Sequence, residues 1–163
     1  MLTFGQIIFR LILSAVLSAV IGLEREYRHK PAGLRTNILV AVGSTLVMLT
    51  SIYAAGISDG GDITRIASGV LTGIGFLGAG VIMRGRDKNR EDEEIVQGIT
   101  TAATIWIVAA IGLAVGLGFY SAAIFSTIIA LVILFVFNSE KIRDKLDSSD
   151  NFGQKNNKVN KHE

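Results

Sequence analysis

Cysteine is absent from the 163 residues, so neither a disulfide nor a thiolate metal site can form. Histidine occurs only at His29 and His162. Neither has a triad or a metal set around it, so no catalytic residue and no cofactor is expected. Proline occurs once, at Pro31. Charge is missing over a long run: none of the 16 basic and 14 acidic residues falls in the 39 positions from Ile99 to Phe137. As one helix that run would extend roughly 58 Å, close to twice a hydrocarbon core of about 30 Å. It reads as two spans and a turn, with Gly116 and Gly118 in GLGFY as the hinge.

Three further stretches have membrane length. Phe4 to Leu23 is apolar apart from Gln6, Arg10 and scattered Ser, while Thr36 to Gly56 and Ile66 to Met83 carry no charge. The expectation is an all-α membrane protein, a bundle of five transmembrane helices over residues 4–23, 36–56, 66–83, 99–115 and 119–137. The first span resembles a signal peptide in its apolar run, but GLERE follows at once without a small-x-small cleavage site, so it is read as retained. Residues 1–140 then form one membrane domain. Residues 141–163 form a polar cytoplasmic tail with almost no large apolar residues after Leu146, expected to be disordered.

Orientation follows from the basic residues. Fourteen of the sixteen fall in the first connection (Glu24 to Arg35), the third (Arg84 to Glu94) and the tail, all on one side. Lys and Arg accumulate on the cytoplasmic face, which places the N-terminus outside and the C-terminus inside. The basic pI near 9.0 is then a topological signal, with the lipid bilayer as partner and no nucleic acid required.

GIGFLGAG, residues 73–80, fits the spacing of a nucleotide-binding loop. Such a loop needs a preceding strand and a soluble βαβ unit, whereas this one lies inside an uncharged span, so no nucleotide is expected there. Small residues let helices approach in lipid, and Gly69, Gly73, Gly75, Gly78 and Gly80, with Gly112 and Gly116 of the fourth span, are read as helix-packing positions. The other reading is that loosened backbone lines a cavity, as in transporters.

Polar residues recur at helical spacing. Gln6, Arg10, Ser14 and Ser18 form one stripe, and Asn37, Ala41, Ser44, Met48 and Ser51 another, which suggests a small polar interior between the first two spans. Arg10 lies inside the apolar stretch, where a charge usually faces the bundle and a partner; Asp59 and Asp62 in the loop SDGGD are the candidates, with snorkelling to the outer interface as the alternative. Trp106 sits mid-span, as packing bulk or as part of a constriction. In GLEREYRHKPAGLRTN, Glu24, Arg25, Glu26 and Arg28 can pair among themselves, Pro31 and Gly33 break the helix, and Arg35 restarts it. EDEE at Glu91 to Glu94 has the carboxylates to attract Mg²⁺, or is simply solvated, so any metal site stays unassigned.

GLERE at Gly22 to Glu26, GLRTN at Gly33 to Asn37, GIGFLGAG, and GITTAATIWIVAAIGLAVGLGFY from Gly98 to Tyr120 resemble the signatures of the MgtC/SapB family of bacterial membrane proteins, over roughly Phe9 to Phe137. Arg10 resembles an arginine the family carries early in its first span. The resemblance implies about five spans and a link to growth at low Mg²⁺. Members are labelled as Mg²⁺ transporters and also described as regulators of other membrane proteins, including the ATP synthase. Longer members add a folded cytoplasmic domain in place of the short polar tail seen here. The candidate functional residues are Arg10, Glu24, Arg25, Arg35, Thr36, Asn37, Thr100, Thr101 and Trp106. The expected function is a non-enzymatic accessory or regulatory factor in magnesium homeostasis, partnered with another membrane protein or with a second copy of itself. The alternative is a Mg²⁺ or proton transporter with a path between the first three spans.

Overall fold

A computed structural model describes residues 2–57, 62–86 and 94–136. It contains five helices, α1 (Phe4–Tyr27), α2 (Leu34–Ile57), α3 (Ile63–Val81), α4 (Ile99–Leu117) and α5 (Tyr120–Val136), with strands β1 (Met83–Arg86) and β2 (Glu94–Gln97) between α3 and α4. Residues Met1–Leu131 make one compact unit, a helical bundle; from Val132 the chain groups as a second, of which the described part is the end of α5. The expectations placed on Asp59, on Glu91 to Glu93 and on the tail 141–163 lie outside the described residues.

Three helices, α1, α2 and α4, are long and apolar enough to cross a membrane, while α3 and α5 offer 17-residue apolar segments, Arg65–Val81 and Tyr120–Val136. That length is at the lower end of what spans. The observed helices overrun five of the expected boundaries, while α3 stops at Val81 and α5 begins at Tyr120, inside theirs. α1 runs through GLERE to Tyr27, because Glu and Arg are good helix formers and only Pro31 forbids continuation. At the other end Thr3 caps α1: its hydroxyl accepts from Gln6 N–H at 3.4 Å and Gln6 Oε1 accepts from Thr3 N–H at 2.9 Å. Gln6, expected as the first member of the polar stripe, is thus an exposed capping residue.

The third connection, expected as a charged loop, closes as an antiparallel hairpin with Met83 opposite Gln97 and Arg86 opposite Glu94. Strands of four residues leave no periodic signal in a charged segment. The turn between α4 and α5 is also narrower than the GLGFY hinge suggested. Gly118 alone is left-handed, at φ 93°, and Gly116 stays helical and packs on α2. Phe119 N–H donates to Ala114 O at 2.8 Å and Gly118 N–H to Val115 O at 3.0 Å, a Schellman closure that requires the positive φ.

The interior mixes small polar side chains with Ile, Val and Met; the outside is apolar. On α2 the expected face is buried in full, Asn37, Ala41, Ser44, Met48 and Ser51, and α1 buries Arg10, Ser14 and Ser18 followed by Ile21, Gly22 and Arg25. Phe9, Ile12, Val16, Leu39 and Leu46 point outward. That inversion suits a lipid surround, in which large side chains lose nothing by facing out and close packing of small ones drives association. Three glycines set the approach distances. A Cβ on Gly22 would stand 2.7 Å from Leu34 Cα, one on Gly116 2.6 Å from Met48 Cβ, and one on Gly112 would overlap Ala41 O. On α3, Gly78 packs on Ala102 beside a core of Ile74, Ile105 and Ala109, whereas Gly69, Gly73, Gly75 and Gly80 have nothing within 4 Å.

Gly112→Val is therefore expected to cost about 1–3 kcal/mol or more through overpacking against α2. Gly73→Ala should leave stability unchanged or slightly raised. Thermal unfolding in detergent checks both, and equal effects would contradict the packing described.

Candidate functional site

α1 carries two buried arginines, and both end on α4. Arg10, 9% exposed, donates from Nη1 to Gly116 O at 2.7 Å and from Nε to the Tyr120 hydroxyl at 3.1 Å. Its guanidinium carbon lies 5.9 Å from the Tyr120 ring centroid, and Phe9 meets that ring edge-on at 5.6 Å. The Schellman closure uses the carbonyls of Ala114 and Val115, and the next one, Gly116 O, goes to Arg10. A Cβ on Gly118 would approach Arg10 Nη2 to 3.0 Å, so the left-handed glycine also makes room for the guanidinium. Arg10 thus finds its partners on α4 and α5. Asp62, one of its expected partners, is exposed in the segment before α3.

Arg25, 3% exposed, donates from Nη2 to Thr101 Oγ1 at 2.8 Å. Fifteen residues separate the two arginines on α1, and fifteen separate Gly116 from Thr101 on α4. The helices run antiparallel in register, pinned at two points roughly 22 Å apart at about 1.5 Å per residue.

Around Arg25 the connection between α1 and α2 folds tightly. Pro31 stops the helix, His29 and Ala32 take positive φ of 51° and 56°, and Lys30 N–H returns to Arg25 O at 3.0 Å. Glu26 reaches over to accept from Leu34 N–H at 2.9 Å, capping α2 with a carboxylate where its dipole favours one. Asn37 is fully buried and donates from Nδ2 to Ala32 O at 2.6 Å and Gly33 O at 2.9 Å. Glu24 pairs with Arg28 at 2.7 Å, one helical turn away. Glu24 Oε2, Arg25 Nε and Asn37 Oδ1 are buried with no hydrogen-bond partner. Among the described residues no group of three His, Asp or Glu is placed to hold a metal ion.

The structure thus brings Arg25 and Thr101 into direct contact and sets Glu24 and Asn37 on the helix ends beside them. Arg10 stands at the opposite end. Arg35, Thr36 and Thr100 are exposed, and Trp106, 48% exposed, lies on the outer side of α4 rather than in the interior. Three contributors escape a reading by spacing: Tyr120 as the partner of Arg10, Glu26 as the cap of α2, and Thr45, whose hydroxyl donates to Gly112 O at 2.8 Å. Tyr120 closes the GLGFY block, which is the one signal that could have singled it out.

These anchors fall on GLERE, GLRTN and the long Gly98–Tyr120 block. Residues 11–141 match the MgtC family. The chain belongs to that family. Among similar proteins, "Putative magnesium transporter YhiD" of Escherichia coli is 43% identical over 146 residues, covering 85% of this chain and 64% of the relative. "Protein SrpB" of Synechococcus elongatus is 44% identical over 133 residues, 79% of this chain and 73% of the relative. "Protein MgtC" of Salmonella typhimurium is 45% identical over 131 residues, 80% of this chain and 52% of the relative. The chain thus spans between about half and two thirds of the length of the Salmonella and Escherichia coli relatives. No solved structure matches it.

Replacing Arg10 by Met leaves Gly116 O and the Tyr120 hydroxyl without their donor, and is expected to cost about 1–3 kcal/mol. Tyr120→Phe removes only the Nε acceptor and should cost about 1 kcal/mol. Unfolding of the two variants and of the double mutant would reveal the coupling as non-additivity. Strict additivity would deny that the two side chains act together.

Proposed function

We propose that this protein is a multi-pass member of the MgtC family in the bacterial inner membrane, acting as an accessory or regulatory factor in adaptation to low Mg²⁺ and catalysing no reaction. The observation that supports this most is the state of the interior. Ser18, Ser44, Thr104 and Thr127 spend their hydroxyls on carbonyls of their own helices, and Thr45 spends its own on Gly112 O. Gly112 and Gly116 bring α4 against α2 with no space for a side-chain methyl. A groove of about 580 Å³ between the start of α1 and the end of α2, lined by Gln6, Ile7, Leu49, Ile52 and Tyr53 among others, touches none of the buried polar residues. Among the described residues, an ion crossing between α1, α2 and α4 would meet no buried carboxylate pair. A tightly pinned bundle with a wide apolar exterior suits a protein that acts by contact with others in the membrane, another protein or a second copy.

A second reading, a Mg²⁺ transporter, draws on the name of the Escherichia coli relative and on the unpartnered buried oxygens of Glu24 and Asn37. The two are separated by reconstitution. Purified protein in liposomes is expected to pass neither Mg²⁺ nor protons under an imposed gradient. A strain lacking the gene should grow poorly at low Mg²⁺ and be restored by the wild-type chain but not by Glu24→Ala or Arg35→Ala. Specific Mg²⁺ flux would overturn the regulatory reading.

The orientation proposed, N-terminus outside and C-terminus inside, rests on the distribution of Lys and Arg. In a chain without native cysteine, single cysteines at Ser58 and Asn89 should react with an impermeant reagent from opposite sides. Labelling of both from the same side would refute the five-span arrangement.

A further inference from the structure

At the joint of α1, α2 and α4 one buried guanidinium makes no salt bridge, although the Glu24 carboxylate next to it in sequence acts on it through space. Of its neighbouring carboxylates, Glu24 pairs with Arg28 at 2.7 Å and Glu26 is committed to Leu34 N–H at 2.9 Å. Arg25, 3% exposed, donates only to a neutral hydroxyl, Thr101 Oγ1, and its buried Nε has no partner. Buried charges are normally paired, because an isolated one forfeits its hydration with nothing in return.

Arg25 points at the start of α4, and that end carries no cap. Its N-cap is Gly98, left-handed at φ 93°, with no side chain to accept from the first turn. A Cβ there would overlap Val81 O, so none of the usual capping residues fits. The first intrahelical bond is Ala102 N–H to Gly98 O at 2.9 Å, and the N–H groups of Ile99, Thr100 and Thr101 precede it. Thr101 Oγ1 accepts from Arg25 and so keeps its own hydrogen to donate. Oriented N–H groups, the positive end of a 19-residue helix, a hydroxyl donor and a guanidinium outside any salt bridge all favour a negatively charged oxygen ligand.

We infer that this corner binds a tetrahedral oxyanion, a phosphate group, held by Arg25, the Thr101 hydroxyl and the first N–H groups of α4, with the exposed Thr100 at the rim. The ligand is either the phosphate of a lipid headgroup, since this is where apolar helix meets the interface, or free phosphate. The carboxylate of Glu24 opposes an anion, and its pairing with Arg28 offsets that. A cation suits the corner less, because the Arg25 guanidinium and the N–H end of α4 both face it. This assignment is independent of whether the protein regulates or transports.

The test uses the full chain. In nanodiscs of phosphatidylcholine alone, inorganic phosphate is titrated calorimetrically. In a second arm, protein extracted from phosphatidylcholine–phosphatidylglycerol vesicles is analysed by native mass spectrometry for retained lipid. Saturable phosphate binding assigns the free ion, and selective retention of phosphatidylglycerol assigns the headgroup. Thr101→Val keeps the side-chain shape and is expected to weaken whichever is found by about tenfold, the worth of one hydrogen bond to a charged group. Arg25→Gln should abolish it; if that variant does not fold, Thr101→Val decides. The assignment is overturned if phosphate does not saturate and no lipid is selectively retained, or if binding is unchanged in Thr101→Val.

Discussion

A guanidinium within a membrane-length helix has to be hydrogen-bonded inside the bundle or carried out to water, and α1 sets two of them on the face it turns to α4. Arg10 and Arg25 are buried, and each meets an α4 group fifteen residues from the other's. Because both bonds must form at once, the register of α1 on α4 has no freedom to slip by a turn. The small residues between them, Ser14 and Ser18, let the two helices keep that spacing without a bulky side chain to prise them apart.

α2 is held in the same frame by shape. Gly22 admits the start of α2 against α1, and Gly112 and Gly116 admit its middle against α4, where Thr45 adds an interhelical bond. Lipid offers no hydrophobic drive for helices to associate, so backbone approach and a few polar contacts must do it. α3 is tied more lightly, through Gly78 on Ala102, through Ile74 in the small core with Ile105 and Ala109, and through the Ser51 hydroxyl on Ile63 O. A Cβ on its remaining glycines would meet nothing within 4 Å among the described residues. A glycine stripe thus has two uses within one protein, and spacing alone does not distinguish them, because closeness depends on which neighbour the helix meets.

Much of the architecture was legible in the residues. Absence of charge located the helical runs, four-residue spacing picked the face of α2 that is buried, and the blocks GLERE, GLRTN and Gly98–Tyr120 located the anchors and the family. The partner of Arg10 was not legible. Asp62 is a natural choice by charge, but the free carbonyl at the end of α4 satisfies a guanidinium as well, and a carbonyl leaves no trace in a sequence. The hairpin of β1 and β2 escaped for a related reason, since backbone pairing over four residues does not depend on a side-chain pattern.

Composition and periodicity determined the helical class, the apolar outside, the polar stripes turned inward and the residues able to carry charge into the bundle, because each is a property of one helix and its solvent. Tertiary structure alone decided which glycines are approached, that Arg10 closes the turn of α4 into α5, and that Arg25 reaches Thr101 across 76 positions of sequence. Those outcomes belong to pairs of helices. A contact between helices is set by crossing point and register, and these emerge only when every buried polar group in the bundle has to find its partner together.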